Sequence, residues 1–342
     1  MKDLNSIRIF LALGLFLLCI PGCTFSDDPG KNLVTITDQL GRQVAVPKKP
    51  ARIVALHHFG GKIIYALNQQ HLLVERSIYG REAIARSRVD KVFAALPSMI
   101  QNHGYNVEGL VSLNPDLVFA YASMGPSEMK LFENTGIPVV AVKGETFEES
   151  IEAIRLMAGI LGCREKGDAY IRACQNLLDR VRQRLKGQVT HPRKVMFAGP
   201  KSIYSVATGN MLQSQILALS GGINVAVELS GFWADVSPEQ IARWNPDVIF
   251  LGSYLDVYGK EKIYANPQFA TISAVKNKQI HTFPSNVGWW DYPAPHCVLG
   301  VVWSAKTLYP KLFSDMDMKE VANTFYENFG GISFEALGGK LN

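Results

Sequence analysis

Two glutamates, Glu108 and Glu239, hold the same place in two copies of one short pattern. The first copy runs Glu108-Gly-Leu-Val-Ser-Leu-Asn114-Pro115-Asp116 into Leu117-Val-Phe-Ala-Tyr121. The second runs Glu239-Gln-Ile-Ala-Arg-Trp-Asn245-Pro246-Asp247 into Val248-Ile-Phe-Leu-Gly252. The glutamate offset, 239−108, equals the asparagine offset, 245−114. A carboxylate in the first turn complements a helix N-terminus, and that alone would account for each one. Its recurrence at matched places also offers two equivalent negative contact points, a use distinct from an acid pair built for catalysis.

Other reactive side chains form no recognisable catalytic set. The sequence holds no Gly-x-Ser-x-Gly elbow, no His-Glu-x-x-His and no phosphate-cradling glycine loop. Its histidines (57, 58, 71, 103, 191, 281 and 296) lack the spacing of a local metal cage, which argues against a receptor for bare zinc or manganese. Cys163, Cys174 and Cys297 are odd in number and unpaired in spacing, so free thiols are expected. Lysine and arginine are dispersed, and a net charge of +5 without a clustered stripe disfavours nucleic acid.

The elements that must position these residues are legible. Asn106 and Ser237 suit N-caps, and Pro238 suits a first helical position. Pro115 and Pro246 end each helix, and an unbroken apolar run follows, as in a strand buried on both faces. Each copy therefore reads helix, turn, buried parallel strand, which is α/β architecture. At 342 residues and 47% hydrophobic, the chain has material for two domains.

Residues 1–22 read as an export signal, with Lys2 and Arg8 before an apolar stretch too short to span a bilayer comfortably. Around Asp38-Gln-Leu-Gly-Arg42 a hairpin is expected. Strands are expected at Arg52–Leu56, Leu72–Val74, Leu117–Tyr121 and Ile137–Val142, giving a first lobe over 33–163. Thr146-Phe-Glu-Glu149 is a capping box. An amphipathic helix then runs from Glu165 to about Lys186, roughly 30 Å long, across to a second lobe over 187–342.

Taken in order, these segments resemble the substrate-binding proteins of iron-chelate and cobalamin ABC importers. The likeness rests on several stretches: Ile20-Pro21-Gly22-Cys23, similar to a lipobox; the opening Thr-Ile-Thr-Asp-Gln-Leu-Gly-Arg-Gln-Val-Ala-Val-Pro; Pro50-Ala-Arg-Ile-Val-Ala-Leu56; the paired Glu…Asn-Pro-Asp units; and Gly288-Trp-Trp-Asp-Tyr near the end. It covers the chain from Cys23 onward. It implies two Rossmann-like lobes with central parallel sheets, linked by a long α-helix, the helical-backbone receptor type. It also implies a lipid on Cys23, a tether over 23–32, and an exported monomer held at the membrane in the cell envelope or periplasm.

By the same resemblance the protein is a carrier and not an enzyme. It would capture an iron(III)-siderophore-type chelate between its lobes and deliver it to an ABC permease with its ATPase; a corrinoid or haem is the alternative cargo. A different class, an extracytoplasmic hydrolase or a sensory or scaffold protein on this fold, stays open. Glu108 and Glu239 match the family's permease-docking positions. Ligand contact would fall to loops after the strands: His57 and His58, Tyr79 and Arg81, Tyr121 with Ser123, Tyr254, and the aromatic run Trp289, Trp290 and Tyr292. Trp233, Lys143 and Lys201 are weaker candidates.

Overall fold

The computed structural model describes residues 26–27, 32–101, 104–252, 255, 260–284 and 286–341. Strands β1 (Leu33–Thr37) and β2 (Gln43–Pro47) form the expected antiparallel hairpin. Its turn is tied by Asp38, whose Oδ1 accepts from the backbone N–H of Leu40 and of Arg42. Asp38 Oδ2 accepts from Ala141 N–H at 3.1 Å, so the hairpin is clipped to the sheet beside it.

That sheet is parallel and three-stranded, built from β3 (Ile53–Ala55), β4 (Leu117–Tyr121) and β5 (Val139–Val142), with β4 at the centre. All three strands are buried throughout, which explains their unbroken apolar runs. Between β3 and β4 the chain forms α1 (His58–Ala66), α2 (Gly80–Val89) and the short α3 (Val107–Ser112). The strand expected at Leu72–Val74 is reduced to a single bridge, Leu73 to Ile53, after a 3-10 turn over Gln70–Leu72. After β5, α4 (Phe147–Ile160) starts at Thr146, whose Oγ1 accepts from Glu149 N–H.

Helix α5 (Arg164–Leu185) has 22 residues, about 33 Å at 1.5 Å per residue. It packs on α4 at one end and reaches the second sheet's helices at the other. Beyond it come β6 (Arg193–Ala198), β7 (Ser205–Ala207), α6 (Leu212–Leu219), β8 (Gly222–Asn224), β9 (Trp233–Asp235), α7 (Pro238–Trp244), β10 (Val248–Leu251) and β11 (Ile280–Thr282). The order is β9-β7-β6-β10-β11, with β8 also paired to β6. Strands β8, β6, β10 and β11 run parallel; β7 and β9 add antiparallel pairings at one side. Helix α8 (Cys297–Leu308) covers α5 and α6, and α9 (Met318–Gly330) crosses back to pack on α1.

The repeated Asn-Pro-Asp now has a physical account. Asn114 and Asn245 take left-handed angles, φ 48° and 45°, which asparagine tolerates better than most residues. Each turn then aims its aspartate at the neighbouring strand. Asp116 accepts from the N–H groups of Ala51 and Arg52, at 2.7 and 3.1 Å, and donates its own N–H to Arg52 O. Asp247 does the same with Lys194, accepting at 2.9 Å and donating at 2.8 Å. The motif sets the register at which a parallel strand enters its sheet. Asp116→Ala or Asp247→Ala should each lower stability by about 1–2 kcal/mol, read by urea unfolding, and leave the denaturant slope unchanged.

Candidate ligand site between the lobes

Strand β3 delivers the chain to His57, which is extended (φ −129°, ψ 144°) and caps α1. Its Nδ1 accepts from Phe59 N–H at 3.2 Å, so the proton of the neutral ring sits on Nε2. The imidazole stacks on Tyr121 at the end of β4, with ring centres 4.3 Å apart. Tyr121 in turn donates its hydroxyl to Glu145 at 2.7 Å. His58, the first residue of α1, is buried, and its Nδ1 lies 2.6 Å from the Tyr79 hydroxyl ahead of α2.

A loop from the second sheet closes over these residues. Trp289 meets His58 edge-on at 5.8 Å, and Tyr292 lies 5.2 Å from the same imidazole and 5.3 Å from Trp289. The loop is held firmly. Gln213 donates to Asp291 O at 2.7 Å, and Tyr326 donates to Val287 O at 2.8 Å. Gly288 takes φ +78°, and a Cβ there would come within 2.7 Å of His296 Nε2 and 3.1 Å of Glu82 Oε2. Both the angle and the close approach require glycine. The site is thus a cage of imidazoles, phenols and one indole, contributed by both lobes.

Beneath the cage lies a buried ion pair. Lys62 Nζ is 2.8 Å from Glu82 Oε2, and each side chain is 7% exposed. Arg86 is buried beside them with its guanidinium 4.2 Å from the Tyr65 ring. One cavity of ≈ 20 Å³ opens among His58, Lys62, Tyr79, Glu82, Gly288 and Trp289. Another, of ≈ 30 Å³, lies behind it among Lys62, Glu82, Arg86, His296 and Tyr326. The buried Nε2 atoms of His58 and His296 have no hydrogen-bond partner.

Burial first, and then the Lys62 charge, push His57 down to about 3. The same two causes push His296 to about 3, and burial with neighbouring positive groups sets His58 well below its ordinary value. All three rings are neutral at physiological pH. Burial alone would raise the Glu82 carboxyl, but the Lys62 ammonium and the Arg86 guanidinium hold it below the usual range. No group of three or more His, Cys, Asp or Glu side chains among the described residues could hold a metal ion. What the cage offers is imidazole N–H groups and aromatic faces, with the Tyr121 and Tyr79 hydroxyls engaged by Glu145 and His58.

Of the residues expected from sequence, His57, His58, Tyr79, Tyr121, Trp289 and Tyr292 come together here. Trp290 does not. It is wholly buried, packs on Phe334, and donates its indole N–H to Tyr326 at 3.2 Å, so it anchors the loop from below. Trp233 lies on edge strand β9 and packs towards Phe197 in the second lobe's core. Arg81 is exposed in the first turn of α2. Glu108 and Glu239 are exposed in the first turns of α3 and α7. Tyr254, Cys23 and the leader lie outside the described residues. No helix among the described residues is long and apolar enough to cross a membrane. Sequence reasoning missed Lys62, Glu82 and His296; the one available signal was Lys62 falling a helical turn after His58.

Residues 53–287 match the profile of the family described as periplasmic binding protein. The molybdate-binding protein MolA of Haemophilus influenzae is 28% identical over 330 residues, 88% of this chain and 92% of its own length. Its structure bound to molybdate superposes with a TM-score of 0.74 and 26% identity, covering 87% of this chain and 98% of that one. The uncharacterized ABC transporter substrate-binding lipoprotein YvrC of Bacillus subtilis is 25% identical, covering 82% of this chain and 87% of its own length. A vitamin B12-binding protein of Pectobacterium carotovorum is 23% identical, covering 73% of this chain and 85% of its own length.

The buried neutral histidines make acid the weak direction. Between about 3 and 6.5 the unfolded rings take up protons that the folded rings refuse, so stability falls as pH falls through that window, by about 1.4 kcal/mol per unit for each such ring. Glu75, pushed up to about 7 by burial, acts with the opposite sign and offsets one of the three. The melting temperature should therefore drop from pH 7 to pH 5. His296→Gln should flatten that slope; an unchanged slope would contradict the assignment of a neutral, buried ring.

Proposed function

The chain belongs to the periplasmic binding protein family, and on that premise we propose that it is the carrier of an ABC importer for a compact metal-containing anion. Molybdate is the type of that ligand, and the cage of His57, His58, Tyr79, Tyr121, Trp289 and Tyr292 is where it binds. The observation that carries this reading is the cage's chemistry. It presents hydrogen-bond donors and no carboxylate-rich or thiolate set, so the ligand must bring its own coordination shell and present oxygen acceptors. The free space beneath the rings, ≈ 20 Å³, admits a single ligand atom the size of an oxygen. The likeness to a molybdate carrier along most of both chains supports the same choice.

A second reading is an iron(III)-siderophore-type chelate, with corrinoid or haem behind it. What favours it is the concentration of aromatic faces around His58, which suits stacking on a flat ligand. In either case the protein binds and releases without turnover. Glu108 and Glu239 are the two points read by the permease; exposed ion pairs are each worth only about 0.2–1 kcal/mol, so their spacing carries the information. A lipid on Cys23 holds the carrier at the membrane.

Calorimetric titration with molybdate, tungstate, a ferric catecholate and cyanocobalamin, paired with cellular uptake, tests these assignments. Molybdate and tungstate should bind saturably, and Glu108→Arg with Glu239→Arg should abolish uptake while leaving binding intact. Binding of the ferric catecholate alone would move the ligand to the second reading. Full uptake by the double variant would remove the docking role.

A further inference from the structure

Lysine and glutamate are rarely buried together without a use, because desolvating both costs several kcal/mol that their attraction does not fully return. Lys62 and Glu82 sit at the floor of the cage, and Lys62 lines both small cavities. Among the described residues its ammonium meets one carboxylate, which leaves N–H capacity unused. The ammonium also stands 6.0 Å from the Trp289 ring centre. Directly above, His58 Nε2 is buried and unpartnered. His58 Nδ1 lies 2.6 Å from the Tyr79 hydroxyl, and in the tautomer in which that hydroxyl donates, Nε2 carries the ring proton.

A space of ≈ 20 Å³ exceeds the roughly 10–15 Å³ that one water-sized group needs. It is too small for a whole oxyanion and large enough for one of its oxygens. We infer that Lys62 is the charge-recognition residue of the ligand site, receiving one ligand oxygen in this cavity together with His58. Glu82 is then the counter-ion that opposes the ammonium in the empty site and moderates its affinity. This rests on the oxyanion reading above and deepens it. The donors in the cavity suit an oxygen that carries no proton, as in molybdate at neutral pH. The resident carboxylate opposes any second negative charge placed close to it.

The two partners make opposite predictions, which a purely structural role does not. Lys62→Met with Glu82→Gln removes both charges of the pair and keeps the volume, leaving the nearby Arg86 with the Asp90 carboxylate 3.9 Å away. It should fold and bind molybdate at least about tenfold more weakly, the loss expected for one charged hydrogen bond. Glu82→Gln alone leaves the ammonium unopposed and should bind molybdate more tightly than the wild type. Both are read by calorimetry on the full chain, with sulfate as a second probe and thermal melts as the fold control. If the folded double variant binds molybdate like the wild type, or if Glu82→Gln weakens binding, the Lys62 role is wrong. Should the double variant fail to fold, the sign of the Glu82→Gln effect decides. If the wild type takes no oxyanion, the functional reading falls and takes this role with it. If it takes molybdate and the variants do not differ from it, only the Lys62 role falls.

Discussion

The buried pair of Lys62 and Glu82 is the constraint around which the rest of the site is arranged. Its partners come from α1 and α2, and each side chain is 7% exposed. A pair so placed contributes little to stability on balance, yet removing one member strands a charge. Several features meet at that charge. Burial makes the nearby imidazoles neutral and the Lys62 charge reinforces it; the ammonium helps hold the Glu82 carboxyl ionised against its burial, and Gly288 is required in the covering loop because Glu82 and His296 fill the space a side chain would need. The aromatic cage is what the loop can then place on top.

That loop is also where the two lobes meet. Its near side, Trp289 and Tyr292, faces His58 of the first lobe, while its far side is bolted to the second by Trp290, Asp291 and Gln213. Helix α9 closes the arrangement from outside by lying on α1, with Phe325 and Phe329 against Tyr170 of the long helix α5. Ligand site, connecting helix and C-terminal helix therefore share contacts.

Much of this was legible in the sequence where the cause is local. Asparagine before proline, serine at a cap and an unbroken apolar run act within a few residues, and so the paired units, the hairpin and the long helix read correctly. The aromatic loop was legible as a composition, but not which tryptophan lies against His58. Trp289 and Trp290 are neighbours facing opposite ways, and only Phe334 and Tyr326, far along the chain, decide it. Leu72–Val74 stops at one bridge to Ile53 because the preceding 3-10 turn takes up Leu72 and leaves too short a run to extend the pairing. The ion pair was invisible for a deeper reason: a lysine on one helix and a glutamate on the next read as solvated faces until packing brings them together.

The central claim is that a metal-bearing ligand sits between the lobes, on the cage, with one oxygen directed at the buried ammonium. Anomalous diffraction at the molybdenum edge, from crystals grown with molybdate, tests it most directly. The account predicts one strong peak between His58, Tyr79 and Trp289, placed so that a molybdate oxygen reaches Lys62. A peak elsewhere on the protein, or no ordered molybdenum while the cage holds a different ligand, would contradict it.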